Sequence, residues 1–171
     1  MSLNAVMKIS NAAGESVLDN FVGWIELQGW DWEVEAETSW TKGGGASVGK
    51  PNPGKMNWEH FFDKSSPAIM NNICSGKSFE EMNLRMFKGT GAKAATKDSF
   101  FAMDMFGVFI TKVSNSATDE GNVLQKVEMV FKHVIINYRP QFSVGPRAGQ
   151  LDTALPFEWD IPAGKVPTAK D

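Results

Sequence analysis

The feature that most constrains the fold is the repeated alternation of apolar and polar residues along the chain. Residues 56–62 and 82–86 alternate in this way, and residues 22–36 alternate with a change of apolar face at Gly29. Alternation with a period of two is typical of strands that have one buried and one solvated face. A glycine at the change of face predicts a β-bulge, which redirects the side chains. The chain is therefore predicted to be dominated by β-sheet.

Two further segments, 99–113 and 123–138, carry apolar side chains on both faces for part of their length. An antiparallel strand with one face in water alternates more cleanly than this. Such strands need a cover on each side, from a second sheet, a helix or a neighbouring subunit. This pattern is the first indication that the chain assembles.

One helix is well defined by its ends. Ser65 or Ser66 can cap it, Pro67 suits its first turn, and Gly76 suits its C-terminal exit. We therefore predict an all-β-dominated fold: a two-sheet antiparallel β-barrel of six to eight strands with one short helix at about residues 66–75, in a single domain spanning 1–171. The Gly/Pro-rich segment 42–54 is predicted to be an extended loop, and 162–171 a flexible C-terminal tail.

Composition excludes several classes of protein. The 171 residues carry 17 Lys and Arg against 20 Asp and Glu, which gives a net charge of −3 and no basic footprint for nucleic acid. No stretch approaches the roughly 20 apolar residues that span a bilayer, and the N-terminus lacks the pattern of a signal peptide. One cysteine and two histidines predict no disulfide framework, no metal site and no cofactor.

Few residues suggest catalysis. His60 lies on the apolar face of a predicted strand, so a hydrogen-bonded core histidine is favoured over a catalytic base, and His133 has no partner nearby in sequence. Cys74, on an amphipathic helix, is predicted to be a small core residue. We predict no catalytic residues and no enzymatic activity. The opposing hypothesis, an enzyme with His60 or His133 as its base, predicts a pH-dependent turnover that is lost when the histidine is replaced by alanine.

The tryptophans admit two interpretations. Aromatic side chains on a β scaffold can form a sugar-stacking platform, or a core together with the anchors of a protein interface. Core and interface are favoured because Trp30 and Trp32 share a strand face with Val34. The six positions are Trp24, Trp30, Trp32, Trp40, Trp58 and Trp159.

Four segments of the chain, in order and spacing, resemble the Hcp family of the bacterial type VI secretion system. The first is the W-x-W strand at residues 30–32, and the second is a DKxSP…CxxGK helix segment at residues 63–77. The third is the F-x-x-V-x-V-x-Y-x-P-Q strand at 131–141, and the fourth is the closing aromatic–W–x–I strand at 157–161. The resemblance extends over about residues 7–161, nearly the whole chain.

This resemblance implies a two-sheet barrel that assembles into a hexameric ring with a wide channel. It also implies that stacked rings form the inner tube of the apparatus and that the subunit carries or chaperones effector proteins in the channel. The implied partners are further copies of the chain, the sheath, spike and baseplate components, and effectors. The implied location is the bacterial cytoplasm and, after export through the apparatus itself, the exterior.

Two sets of residues receive roles as hypotheses. If Trp30 and Trp32 pack inward, alternation directs Asp31, Glu33 and Glu35 to the channel wall and its cargo, with an ordinary solvated strand face as the alternative. The 42–54 segment resembles the family's extended loop, which reaches a neighbouring subunit or ring. The residues assigned to that contact are Gly43, Gly44, Gly45, Val48, Lys50, Pro51 and Pro53.

A different class of function also fits the composition. A monomeric β-barrel that binds carbohydrate or another ligand through exposed tryptophans would show fluorescence that responds to a sugar. A ring-forming subunit would show a mass several times that of one chain.

Overall fold

The computed structural model describes residues 4–41, 44–88, 99–148 and 150–164. Ten strands and one helix lie within these ranges. They are β1 (Ala5–Ile9), β2 (Ile25–Asp31), β3 (Val34–Thr41), β4 (Gly45–Pro53), β5 (Met56–Phe61), α1 (Ser66–Ser75), β6 (Phe79–Met86), β7 (Phe101–Ala117), β8 (Val123–Val130), β9 (His133–Tyr138) and β10 (Leu155–Asp160).

Six antiparallel strands close into a barrel in the order β7–β6–β1–β2–β5–β8, with β8 pairing back onto β7. The closure depends on the 17 residues of β7. Its first half pairs with β6 and β9, and its second half pairs with β8. Gly107, at a φ of 62°, lies where the strand passes from one set of partners to the other. The predicted β-dominated barrel with one short helix is confirmed.

Strands β9 and β10 extend the sheet beyond the closed barrel. β9 pairs with the first half of β7, and β10 pairs with β9 at the edge. The remaining pair, β3 and β4, forms a separate two-stranded sheet. We call this hairpin, residues 34–53, the arm.

The barrel interior is filled by methionine, branched aliphatic and aromatic side chains. Ile69 of α1 joins this core at one side, where the helix contacts β7. The outer face of β7 is less well covered, since Phe109 is exposed. The most deeply buried side chains, with at most 2% of their surface exposed, include Met7, Met56, Met82, Met103, Met105, Met129 and Trp58.

The helix begins and ends where the sequence predicts. It spans Ser66–Ser75 with Pro67 in its first turn, and Gly76 follows with a left-handed φ of 67°. That conformation lets the chain leave the helix without a steric penalty, because glycine has no Cβ. Cys74 contradicts its prediction: it is exposed, because Ile69 rather than the cysteine faces the barrel.

Two predicted strand segments differ from the structure. The 22–36 segment contains the predicted irregularity between Leu27 and Gly29, but it ends as a barrel strand at Asp31. The 123–138 segment divides at residues 131–132 into β8 and β9, because β8 pairs with the second half of β7 and β9 with the first.

The predicted loop 42–54 contains a strand, β4 (Gly45–Pro53), despite its glycines and prolines. Proline is excluded from central strands because it cannot donate a ladder hydrogen bond. Both strands of a two-stranded hairpin are edges, so Pro51 and Pro53 can be accommodated opposite Ala36 and Val34. The assigned contact residue Gly43 lies outside the described residues, as does 165–171 of the predicted tail.

In the part of the chain that the structure describes, no helix has the length and apolar character needed to cross a membrane.

Candidate assembly and cargo surfaces

The outward faces of β2, β5, β8 and the second half of β7 form a shallow groove of about 410 Å³. One row across it runs from Asp31 through Asn57 and Glu128 to Lys112, each residue opposite the next. The neighbouring row runs from Gly29 through Glu59 and Lys126 to Ser114. Gly29 supplies no side chain to its row, so this part of the groove floor is open.

Both signs of charge are present in the groove. Asn57 donates a hydrogen bond of 3.1 Å from Nδ2 to Oδ1 of Asp31. Lys55 lies 3.3 Å from Oε1 of Glu128, and Lys126 lies 3.9 Å from Oε2 of Glu59. Asp31 therefore shares its surface with lysines as well as with acidic residues. These partners could not be predicted from the sequence, because cross-strand register decides which residues meet.

The three acidic residues assigned to cargo lie on different parts of the structure, and all three are exposed. Asp31 ends β2, Glu33 lies in the connection to the arm, and Glu35 belongs to the arm opposite Asn52. Only Asp31 therefore lies within the groove.

The base of the arm is fixed to the barrel by Trp32 and Gly54. The indole Nε1 of Trp32 donates to the carbonyl oxygen of Gly54 at 3.1 Å, and the amide of Gly54 donates to the carbonyl oxygen of Glu33 at 2.8 Å. A Cβ at position 54 would lie 2.8 Å from that same oxygen, so only glycine fits. The arm thus leaves the barrel at a defined point.

Along the arm the predicted contact residues lie at its end and along β4. Gly45, at a φ of 83°, begins β4, and Gly44 precedes it. Val48 lies opposite Thr38, and Lys50 lies at an irregularity in the pairing. Val48 is 72% exposed, so the arm presents apolar surface to water in the isolated chain.

The tryptophans serve the core in the part of the chain where side chains are described. Trp30 stacks on Phe101 with ring centroids 5.4 Å apart, and Trp32 packs against Phe131 at 5.4 Å. Trp58 and Trp159 are buried, while Trp24 is partly buried. This arrangement favours the core interpretation over a sugar-stacking platform.

His60 is a buried core histidine, as predicted, with 0% of its surface exposed. Its Nε2 donates to Oε1 of Gln125 at 2.8 Å, and Nε2 of Gln125 donates to Asn115 at 3.0 Å. The other ring nitrogen, Nδ1, has no hydrogen-bond partner and lies 3.8 Å from Oδ1 of Asp63. Burial lowers the pKa of His60, and the hydrogen bond with Gln125 and the charge of Asp63 oppose that shift.

Asp63 connects this histidine to the start of α1. Its Oδ1 accepts hydrogen bonds from the amide of Ser65, at 2.8 Å, and from the Ser65 hydroxyl. Its own amide donates to the hydroxyl of Ser66 at 3.0 Å. These contacts replace a conventional side-chain cap and fix the helix against the barrel.

His133 is at the surface, with Nε2 2.8 Å from Oε1 of Glu158. Its ring meets the edge of Phe106. Neither histidine lines the groove on β2, β5, β8 and β7. Among the described residues, no three His, Cys, Asp or Glu side chains are arranged to hold a metal ion.

Comparison with known proteins identifies the family. The family model for the Hcp effector of type VI secretion systems matches residues 6–138, more than three quarters of the chain. The chain belongs to the Hcp family. A curated relative, protein hcp1 of Pseudomonas aeruginosa, is 26% identical over 162 residues, which cover 94% of this chain and 96% of the relative.

Solved Hcp structures share the fold. A type six secretion system protein superposes with a TM-score of 0.84 at 21% identity, over 96% of this chain and 99% of its own. Hcp1 from Salmonella typhimurium gives a TM-score of 0.76 at 23% identity, over 97% and 99% of the two chains.

Residues of the Hcp motifs lie in or against the core and at the start of α1. The tryptophans of the W-x-W motif pack beneath the sheet, and the 63–67 segment makes the hydrogen bonds that begin α1. Phe131 and Trp159, from the two C-terminal motifs, both contact Trp32. The motifs that carry the resemblance therefore contribute to the core and to the start of α1.

Proposed function

We propose that this Hcp chain is a structural, exported subunit of the type VI secretion tube, with no catalytic step of its own. It forms hexameric rings that stack into the inner tube, inside the sheath and in contact with spike and baseplate components. The observation that carries this proposal is the arm. A two-stranded hairpin is at best marginally stable in water, and this one exposes Val34 and Val48.

Ring assembly gives the arm a partner. A ring is built from heterologous contacts, in which one patch of each subunit meets a different patch of the next. The arm is one such patch, and the exposed apolar side chains of β9 and β10 are a candidate for the other: Tyr138, Leu155 and Phe157. A neighbouring subunit in the ring would also cover the apolar outer face of β7, where Phe109 is exposed.

The groove on β2, β5, β8 and β7 is the proposed cargo surface of the channel wall. Its mixed charges would select effectors by electrostatic complementarity rather than by a single sign of charge. Asp31 is the residue through which this surface can be tested, because its carboxylate is exposed and accepts one hydrogen bond from Asn57.

We expect Asp31→Lys to change effector retention several-fold while the ring mass stays the same. The substitution places a third lysine beside Lys112 and Lys126 and so reverses the local balance of charge. Glu15→Lys is the matched control, since Glu15 is exposed and lies outside this groove. Co-purification of effectors with each variant measures the effect. Equal retention by Asp31→Lys and the unaltered chain would remove the cargo role from this face.

Export tests the tube role in cells. A tagged copy, expressed in a bacterium with an active type VI apparatus, is expected in the culture medium, and its export should stop when the sheath is deleted. A cytoplasmic marker protein controls for lysis. Export that persists without the sheath would contradict the proposal.

A further inference from the structure

We propose that α1 is an acid-sensitive element: in mild acid it detaches from the barrel while the barrel stays folded, and protonation of His60 drives the change. We call the observed position of the helix the docked form and the detached position the open form. The proposal concerns one chain, so it holds or fails independently of the ring. It depends on two series of contacts that join the buried His60 ring to α1.

The first series passes through Asp63 to the start of the helix. Nδ1 of His60 lies 3.8 Å from Oδ1 of Asp63, which is beyond hydrogen-bond distance. The same oxygen accepts from the amide and the hydroxyl of Ser65, at the N-cap position of α1. Because Oε1 of Gln125 can only accept, Nε2 carries the proton of the neutral ring, and Nδ1 turns a lone pair toward Asp63.

The second series passes through β8 and β7 to the middle of the helix. Nε2 of His60 donates to Oε1 of Gln125 at 2.8 Å, and Nε2 of Gln125 donates to Oδ1 of Asn115 at 3.0 Å. Nδ2 of Asn115 in turn lies 3.7 Å from Sδ of Met70, on α1. Both nitrogens of one imidazole are therefore connected to the helix.

Apart from these contacts, α1 is held by little apolar surface. Its buried residues are two polar ones, Ser66 and Asn72, and one aliphatic, Ile69, while Ile73 is only partly buried. Oδ1 of Asn72 has no hydrogen-bond partner among the described residues, and an unpaired buried oxygen lowers the stability of the docked form. A helix of ten residues is also marginal on its own. Elements with few buried apolar contacts open at a lower free energy than the core of the same domain.

Protonation of His60 favours the open form. In the docked form the ring is fully buried, and a proton added to Nδ1 has no acceptor within hydrogen-bond distance. Burial lowers the pKa of His60, although the hydrogen bond with Gln125 and the charge of Asp63 oppose that shift. Detachment of α1 draws Asp63 away and admits water to the ring, so the pKa in the open form returns to about 6.5. Acid therefore stabilises the open form relative to the docked one.

The groups around His60 are consistent with this sign. Its neighbours on β2, β5 and β8 carry no charge: Leu27, Trp58 and Gln125. Among the described residues, Asp63 is the charged group that acts on the ring. Asp63 also lines a second, smaller surface groove together with Glu15 and Glu26. Both glutamates are exposed in the docked form, so detachment changes their surroundings less than those of His60.

Hydrogen exchange of the intact chain measures the detachment. Mass spectrometry compares residues 66–75 with residues 79–86, which form β6 and pair with β1 and β7. The measurement is made at pH 7.5, 6.5 and 5.5 and corrected for the intrinsic pH dependence of exchange. We expect 66–75 to be less protected than 79–86 at every pH. Opening of 66–75 should rise several-fold between pH 6.5 and 5.5, with a limit of about tenfold per pH unit for one proton.

Variants of the two histidines identify the group that takes up the proton. His60→Gln places at this position a polar side chain that does not protonate in this range, so the acid response of 66–75 should disappear. His133→Gln is the matched control and should keep the response, because His133 lies at the surface beside Glu158.

Asp63→Asn is a second variant, which retains His60. Its amide oxygen can still accept from Ser65, but the charge that favours protonation of His60 in the docked form is removed. The pKa of the docked form then falls further, so the rise in opening should continue to a lower pH than in the unaltered chain. The same exchange measurement, extended to pH 4.5, follows this difference.

The outcomes decide the proposal as follows. An acid response that is lost in His60→Gln and kept in His133→Gln supports it, as does an extended response in Asp63→Asn. A segment 66–75 that is as well protected as β6 at every pH overturns it. An acid response that persists unchanged in His60→Gln also overturns it, and so does a response in Asp63→Asn that ends at a higher pH than in the unaltered chain.

Discussion

Replacing Trp58 by alanine is expected to lower the free energy of unfolding by about 3–5 kcal/mol. Trp58 is 2% exposed at the centre of the barrel, and its Nε1 lies 3.3 Å from Sδ of Met129. Its ring also packs 5.1 Å from that of His60. Removing the indole leaves a cavity whose walls belong to paired strands, so they cannot collapse to fill it. Urea unfolding of the variant measures the loss as a lower midpoint with a similar slope.

Phe62→Ala is the control for that substitution. Phe62 is also aromatic but is 46% exposed. Its replacement by alanine should therefore lower the free energy of unfolding by no more than about 1 kcal/mol. Both variants are compared under conditions where the chain is monomeric, because assembly would add its own stabilisation. Equal costs for the two variants would contradict the position of Trp58 in the core.

The second large effect is a loss of stability in acid that depends on His60. Burial lowers the pKa of His60 in the folded protein below its usual 6.5. Below pH 6.5 the unfolded chain therefore takes up a proton that the folded chain resists, and stability falls as the pH falls. The loss begins near pH 6.5 and stops once the pH is below the folded-state pKa. Its slope is at most about 1.4 kcal/mol per pH unit, the limit for one proton.

Variants of the two histidines test whether the loss of stability in acid comes from protonation of His60. His60→Gln should flatten the fall in unfolding free energy between pH 6.5 and 5, whatever its effect at neutral pH. The other histidine, His133, is partly exposed beside Glu158, so His133→Gln should leave the His60 contribution in place. Urea unfolding at several pH values measures both. A slope that is the same in His60→Gln as in the unaltered chain would contradict the account.

Local pattern was enough to predict much of the fold. Helix α1 follows from the proline and glycine at its ends, and the irregularity in β2 follows from Gly29 at the change of apolar face. The burial of His60 follows from its place after Met56 and Trp58 in the alternation, whereas Phe62, beyond the end of β5, is exposed. In each case the residues that determine the feature are close in sequence.

Features that depend on distant partners were not predictable. The sequence around Gly107 does not reveal that β7 changes pairing partners there. The change is defined by pairing with β6, β8 and β9, which lie elsewhere in the sequence. β4 forms in a segment rich in glycine and proline because β3 pairs with it. The lysines beside Asp31 depend on the register of four strands, which no single strand specifies.

The central claim, that this Hcp chain is a ring-forming tube subunit, is tested most directly by its mass in solution. Light scattering on the purified protein, with negative-stain images of the same fraction, measures the size and shape of the particle. The account predicts six times the 18.8 kDa of one chain and rings with an open centre. A particle of 18.8 kDa that persists at high concentration, with no rings in the images, would contradict it.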